Sequence, residues 1–163
     1  MQSLRAFGFL LKDISRLFAR NFERHAADFP LTLEECRVLA HLARNEGISQ
    51  ARLAYLTDTD PMTLGRTVER MAADGLLERR PDPQDKRART LYLLAPATPL
   101  LREIWRLSDL ARAEAFAGLS GEDTSRLLKT LHRIHANLDA AVPGTADRGA
   151  ARAKAAPRRP ACS

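Results

Sequence analysis

Histidine and cysteine are scarce in this chain, with four and two residues among 163. An enzyme needs a nucleophile, a base and an orienting group gathered in one place. So thin a supply of catalytic side chains offers no such set, and we read the chain as a non-enzyme with no cofactor. Cys36 and Cys162 are too few for a disulfide framework. His132 and His135 stand three apart on a predicted helix, a spacing that suits zinc. Acidic residues are sparse around them, Asp139 being the only close one, so no metal site is expected. No stretch approaches the roughly 18 apolar residues needed to span a bilayer. Lys12, Asp13 and Arg16 interrupt the apolar character of the opening residues, which excludes a secretory-signal layout. A soluble, cytoplasmic protein without membrane contact is the expectation. Internal repeats are absent as well.

What the chain does have is positive charge. Its formal net charge is +6 and its pI is about 10.0, a balance that favours a polyanionic partner. The charge is uneven: residues 141–163 carry +4 and the rest only +2, so any nucleic-acid surface on the body must be local. The length allows one domain, or one with a tail. From Pro143 onward the chain is Ala, Arg, Pro and Gly without a large apolar residue, and 143–163 reads as a disordered basic tail.

Periodicity divides the body into helices and one hairpin. Leu4, Phe7, Leu11, Ile14, Phe18 and His25 recur at helical steps over residues 3–26. Leu10, Leu17 and Phe22 widen that stripe beyond what a lone surface helix needs, so a partner helix is implied, from this chain or a second copy. Thr32 and Glu35 spell a capping box for a second helix that Gly47 ends. Ser49 caps a short third helix to about Leu56, and Thr57–Asp60 form a turn. Asp60 followed by Pro61 opens a fourth helix, an acidic cap before a residue that has no amide to satisfy. This helix runs to about Asp74, where Gly75 stops it. Leu64, Val68 and Met71 give it a core face, and Thr63, Arg66, Thr67 and Arg70 are expected on the opposite side. Leu76–Arg80 and Arg89–Leu94 read as an antiparallel hairpin with a long polar loop. A fifth helix follows over roughly 98–118, with Leu100, Ile104, Leu107 and Ala111 near one face. Ser120 and Asp123 cap a sixth, striped by Leu127, Leu128, Leu131, Ile134 and Leu138.

Two devices point to DNA. Arg66 and Arg70 lie one turn apart on the fourth helix. An arginine there can pair with guanine O6 and N7 or grip a phosphate. Thr63 and Thr67 can touch a phosphate or a thymine methyl, and Pro61 and Met62 lie at the end of the helix that usually meets base edges. Lys86, Arg87 and Arg89 sit on the hairpin, in a loop too polar to pack, where Asp85 can pair with an arginine and hold the tip in shape. A helix for the major groove and a cationic finger for the flanking backbone or minor groove serve one purpose together. A solvated arginine face and a mobile turn are the bland alternatives for each part taken singly.

The order and spacing of these parts resemble the MarR (multiple antibiotic resistance regulator) family of winged helix-turn-helix transcription factors. The matching stretches are LTLEECRVLAHLA from Leu31, SQARLA from Ser49, DPMTLGRTVERM from Asp60, DGLLERRPDPQDKRA from Asp74 and LYLLAP from Leu91. With the flanking helices the likeness covers residues 3 to about 140. It implies a mainly α fold with a small β-hairpin wing, in a six-helix homodimer. Residues 1–30 and 97–142 would form the helical dimerisation region, and 31–96 the winged helix-turn-helix domain. The recognition helix maps to 60–74, the wing to roughly 80–90, and Asp85 with Arg87 forms the family's D-x-R wing element.

The resemblance further implies a transcriptional repressor that binds a pseudo-palindromic operator in double-stranded DNA. A small aromatic or phenolic effector would release it. Arg16, Arg20, His25, His41 and Trp105 are the candidate ligand residues, cations for a carboxylate and a flat ring for stacking. Ordinary interface packing is the alternative for each. Peroxide-sensing relatives keep a reactive cysteine near the start of the first helix, and this chain has none there. Cys36 falls mid-stripe on the second helix and reads as an inert buried thiol. Thr57, Thr59 and Thr67 stand where the family usually keeps apolar residues, Ala95 replaces a frequent threonine cap, and Thr98 replaces a common glycine. A non-specific or architectural DNA-binding protein is the rival reading.

Overall fold

A computed structural model describes residues 5–82 and 89–141. Among the described residues, six helices and two strands follow one another: α1 (Phe7–His25), α2 (Leu33–Arg44), α3 (Gln50–Thr57), α4 (Pro61–Ala73), β1 (Leu77–Pro81), β2 (Arg89–Leu93), α5 (Ala97–Ala115) and α6 (Gly121–Ala141). This is the expected mainly α fold with a β-hairpin. The described residues fall into two compact units, one ending at Ala117 and the other beginning at Gly118.

Local chemistry sets the helix boundaries where the sequence places them. Thr32 accepts from the amide of Glu35, whose side chain accepts in return from the amide of Thr32, closing the capping box. Ser49 caps α3 through the amide of Arg52. One Asp60 oxygen accepts from the amides of both Met62 and Thr63, with Pro61 at the first helical position. Gly75, at φ +70, turns the chain from α4 into β1. The fifth helix starts a residue earlier than its prolines suggest. Pro96 is its cap and Pro99 lies in its first turn, where a missing amide costs nothing.

The core of the first unit gathers Val38, Leu39 and Leu42 of α2, Leu53 of α3, Leu64, Val68 and Met71 of α4, and Leu77 and Leu91 of the hairpin, all shut off from solvent. Ile104, Leu107 and Ala111 of α5 and Phe22 of α1 complete it. The strands pair antiparallel, Leu77 opposite Leu93 and Pro81 opposite Arg89. β2 is also tied to the segment before α3: the amide of Gly47 donates to the carbonyl of Leu91, and the amide of Leu91 to the carbonyl of Ile48. The helix-turn-helix and the hairpin are therefore one packed body.

Much of the apolar stripe of α1 is not used in that body. Phe22 is its one buried residue, while Phe9, Leu10, Ile14 and Leu17 are more than half exposed. In the second unit α6 is capped by Ser120, whose hydroxyl accepts from the amide of Asp123. It buries no residue, and Leu127, Leu128 and Leu138 of its stripe are exposed. Among the described residues, no helix is long and apolar enough to cross a membrane.

Candidate nucleic-acid interface

The inward row Leu64, Val68 and Met71 fixes how α4 is rotated on the core. Pro61, Met62, Thr63 and Arg66 are thereby turned to solvent, Met62 with 73% of its surface exposed. Arg66 makes no hydrogen bond or ion pair with another described residue. Arg70 is also exposed but is engaged: its Nε and Nη2 both donate to Oε1 of Glu35 on α2, at 3.1 and 2.8 Å.

Thr67 corrects the expectation from sequence. Its side chain faces inward, with 7% of the residue exposed, and its hydroxyl lies 3.2 Å from Oε1 of Glu34 and 3.3 Å from the carbonyl of Thr63. The reason is helical geometry. Position 67 falls three residues after Leu64 and four before Met71, so it flanks the core row and meets α2. Thr57 is buried too, its hydroxyl bonded to the carbonyl of Leu53 at 2.9 Å. Both threonines occupy apolar positions by satisfying their hydroxyls locally.

The hairpin contributes cations that the sequence reading passed over. Nη2 of Arg79 donates to the carbonyl of Gly65 at 3.2 Å, pinning β1 to α4. Arg80 lies 4.1 Å over the Tyr92 ring and bonds Glu78 through its Nε. Two adjacent arginines on a strand just after α4 were the available signal, because alternation sends them to opposite faces and so turns one toward that helix. Arg89 is exposed at the start of β2. Asp85, Lys86 and Arg87 lie outside the described residues, as do Cys162 and the tail from 143. On α3, Arg52 stacks 4.8 Å from the exposed ring of Tyr55.

Glu35 is the most constrained ionisable group near α4. Burial pushes its carboxyl pKa up, but the bonds from Thr32 and the Arg70 guanidinium more than reverse this and hold it below the usual value. It is a carboxylate at neutral pH.

A cavity of about 400 Å³ lies between α1, α2 and α5. Ile14, Phe18 and Phe22 line one wall, Leu33 and Cys36 another, and Ile104 a third, with Arg37, Ser15 and Ser108 supplying polar atoms. None of the five ligand candidates named from sequence lines it. Arg16 pairs with Asp13 at 3.0 Å, and Arg20 is exposed. His25 is held 3.1 Å from Glu114, which Arg24 also pairs. Trp105 carries Arg44 at 5.8 Å from its ring. His41 sits beside Arg44 and Arg37, and burial together with those charges lowers its pKa, keeping the imidazole neutral. The sequence candidates share a chemistry, whereas the cavity is defined by which helix faces meet. Cys36 is 3% exposed, and burial, with the charge of Glu35, pushes its thiol up to about 12.

The model of the MarR family matches residues 29–88, the segment from before α2 to the residue preceding β2. The transcriptional regulator HosA of Escherichia coli O111:H- is 28% identical over 122 residues, covering 74% of this chain and 90% of HosA. The solved structure of the transcriptional regulator PA3341 superposes with a TM-score of 0.73 at 28% identity, covering 82% of this chain and 98% of that one. BpsR of Bordetella bronchiseptica, whose DNA binding is regulated by 6-hydroxynicotinic acid, shares the fold with a TM-score of 0.66 at 23% identity, covering 78% and 91%.

Proposed function

Since the chain belongs to the MarR family of winged helix-turn-helix transcriptional regulators, we propose that it is a homodimeric, sequence-specific repressor released from its operator by a small aromatic or phenolic ligand. The observation that carries the DNA reading is the outward row at the start of α4. Pro61, Met62, Thr63 and Arg66 are exposed on a helix whose opposite side is locked into the core. A helix so held can enter a major groove N-terminus first. Arg70 lies beside that row. Lys86, Arg87 and Arg89 would meet the adjacent minor groove or phosphates, with Asp85 ordering the tip.

The dimer reading is supported by apolar surface. Phe9, Leu10 and Leu17 on α1 and Leu127, Leu128 and Leu138 on α6 are costly to leave in water, and residues 1–30 and 97–142 are the proposed dimerisation region. A two-fold dimer requires a pseudo-palindromic operator with half-sites roughly 34–36 Å apart. The effector reading is supported by the apolar cavity between α1, α2 and α5. It has room for a flat ring, and Arg37 lies on its lining to meet an acid or phenolate. BpsR offers a hydroxylated heteroaromatic acid as the first compound to try.

Selection of preferred duplexes from random DNA, followed by anisotropy titration against scrambled duplexes, tests the proposal. A regulator prefers its site by about 10³-fold or more. Arg66→Ala should cost about 1–3 kcal/mol on the preferred duplex and much less on the scrambled one. Equal affinity for both duplexes would favour the architectural alternative instead. Truncation of residues 143–163 should flatten the salt dependence by about 0.9 in log–log slope for each phosphate the tail no longer neutralises.

A further inference from the structure

We infer that Glu35, a residue of α2, is a positioning residue for DNA reading: its buried carboxylate fixes Arg70, so that Arg70 braces the recognition helix while Arg66 does the base reading. The inference rests on the DNA role proposed above and assigns a division of labour within it.

The Glu35 side chain is only 7% exposed, and its two oxygens serve two helices. Oε2 accepts from the amide and the hydroxyl of Thr32, both at 2.8 Å, which closes the cap of α2. Oε1 accepts from Nε and Nη2 of Arg70 at 3.1 and 2.8 Å, which anchors α4. Four donors nearly exhaust what one carboxylate can accept. Next to it, Glu34 takes the hydroxyl of Thr67, three residues before Arg70 on α4. Two adjacent glutamates on α2 thus hold two points on α4 and add to the core row a second restraint on its rotation. Rotation is the coordinate that matters for Arg66, which projects away from the core row. A small turn of the helix there moves a guanidinium off a base edge, and recognition groups need placement within about half an ångström. Pairing also cancels one cation on α4. Arg70 keeps its Nη1 side for a phosphate, but its position is dictated by α2 and not by the DNA sequence.

Glu35→Gln separates the two jobs of the carboxylate. The amide oxygen can keep both Thr32 bonds, while the amide nitrogen, a donor, then faces Arg70 and cannot accept from it. The variant should retain its fold and bind scrambled DNA at least as well as wild type, because a cation is freed. Its preferred-over-scrambled ratio should fall tenfold or more. Arg70→Met should lower the ratio similarly, and Arg70→Lys, which can still pair with Glu35, should recover part of it. The double variant E35Q/R70M should be no worse than the poorer single one, because the two residues act as a unit.

A ratio within twofold of wild type in both E35Q and R70M overturns the inference. So does an R70M loss shared equally by preferred and scrambled DNA, which would make Arg70 a plain phosphate contact. Should E35Q fail to fold, the R70K and R70M pair carries the comparison. Wild-type protein without any sequence preference removes the DNA reading itself, whereas a preference that survives these variants removes only the role of Glu35.

Discussion

Cys36 should be a poor nucleophile, and the structure sets how poor. Its pKa rises from an ordinary 9.0 to about 12, chiefly through burial and secondarily through the charge of Glu35. Only the thiolate attacks alkylating reagents or peroxides. At pH 8 an ordinary thiol of this kind is roughly one-tenth ionised and Cys36 about one part in ten thousand, a loss of about a thousandfold in reactive species. The assay is iodoacetamide labelling of a Cys162→Ser variant, in which Cys36 is the remaining thiol, followed by mass spectrometry in native buffer and in denaturant. Native labelling at pH 8 should be about 10³-fold slower than denatured labelling. A steric block would also slow the reaction, so pH separates the causes. An ionisation-limited rate keeps climbing about tenfold per pH unit beyond pH 9, where an ordinary thiol levels off. Native labelling within a few-fold of the denatured rate, or a plateau near pH 9, would refute the argument and reopen Cys36 as a redox sensor.

Other perturbations have calculable consequences. Asp60→Ala leaves the amides of Met62 and Thr63 without their cap and should cost about 0.5–2 kcal/mol in urea denaturation, with Asp60→Asn much milder. Gly47→Ala meets two obstacles, a φ of +80 and a Tyr92 hydroxyl 3.0 Å from the new Cβ. It should destabilise by about 1–2 kcal/mol from the backbone alone. Met71→Ala, which empties a fully buried position on α4, should lower stability by about 2–5 kcal/mol. Glu35 has a folded pKa below its ordinary 4.5, so its contribution is present above that pH and disappears as pH falls through the lower folded value. Denaturation midpoints measured from pH 6 to pH 3 should therefore drop more steeply in wild type than in Glu35→Gln.

The parts of this molecule that can be read from sequence are those whose causes lie within one helical turn. The Thr32 box, the Ser49 cap and the Asp60–Pro61 start each join residues three or fewer apart, and each forms as read. The core row of α4 is equally local, because the helix period alone brings Leu64, Val68 and Met71 together. Thr67 shows where that logic fails. A polar residue beside a core row is assigned outward by its chemistry, yet its direction is set by the period, and here Glu34 on another helix supplies the acceptor that lets it turn in. Arg70 is the same case with larger consequence. Read alone it is one more cation on a recognition helix, and its partner lies 35 residues away in sequence. Chemical type is a poor guide to the cavity for a related reason. Arg16, Arg20, His25, His41 and Trp105 stand out for polar heads and a flat indole, while the cavity is lined mostly by apolar residues such as Ile14, Phe18, Phe22 and Ala40, whose facing depends on how α1, α2 and α5 cross. The consequence is specific to α2. Leu33, Cys36 and Arg37 border the cavity while Glu34 and Glu35 bond Thr67 and Arg70 of α4, so five consecutive residues between them touch both regions. Adjacent residues on a helix necessarily project in different directions, which is why one short run can face a cavity on one side and α4 on another.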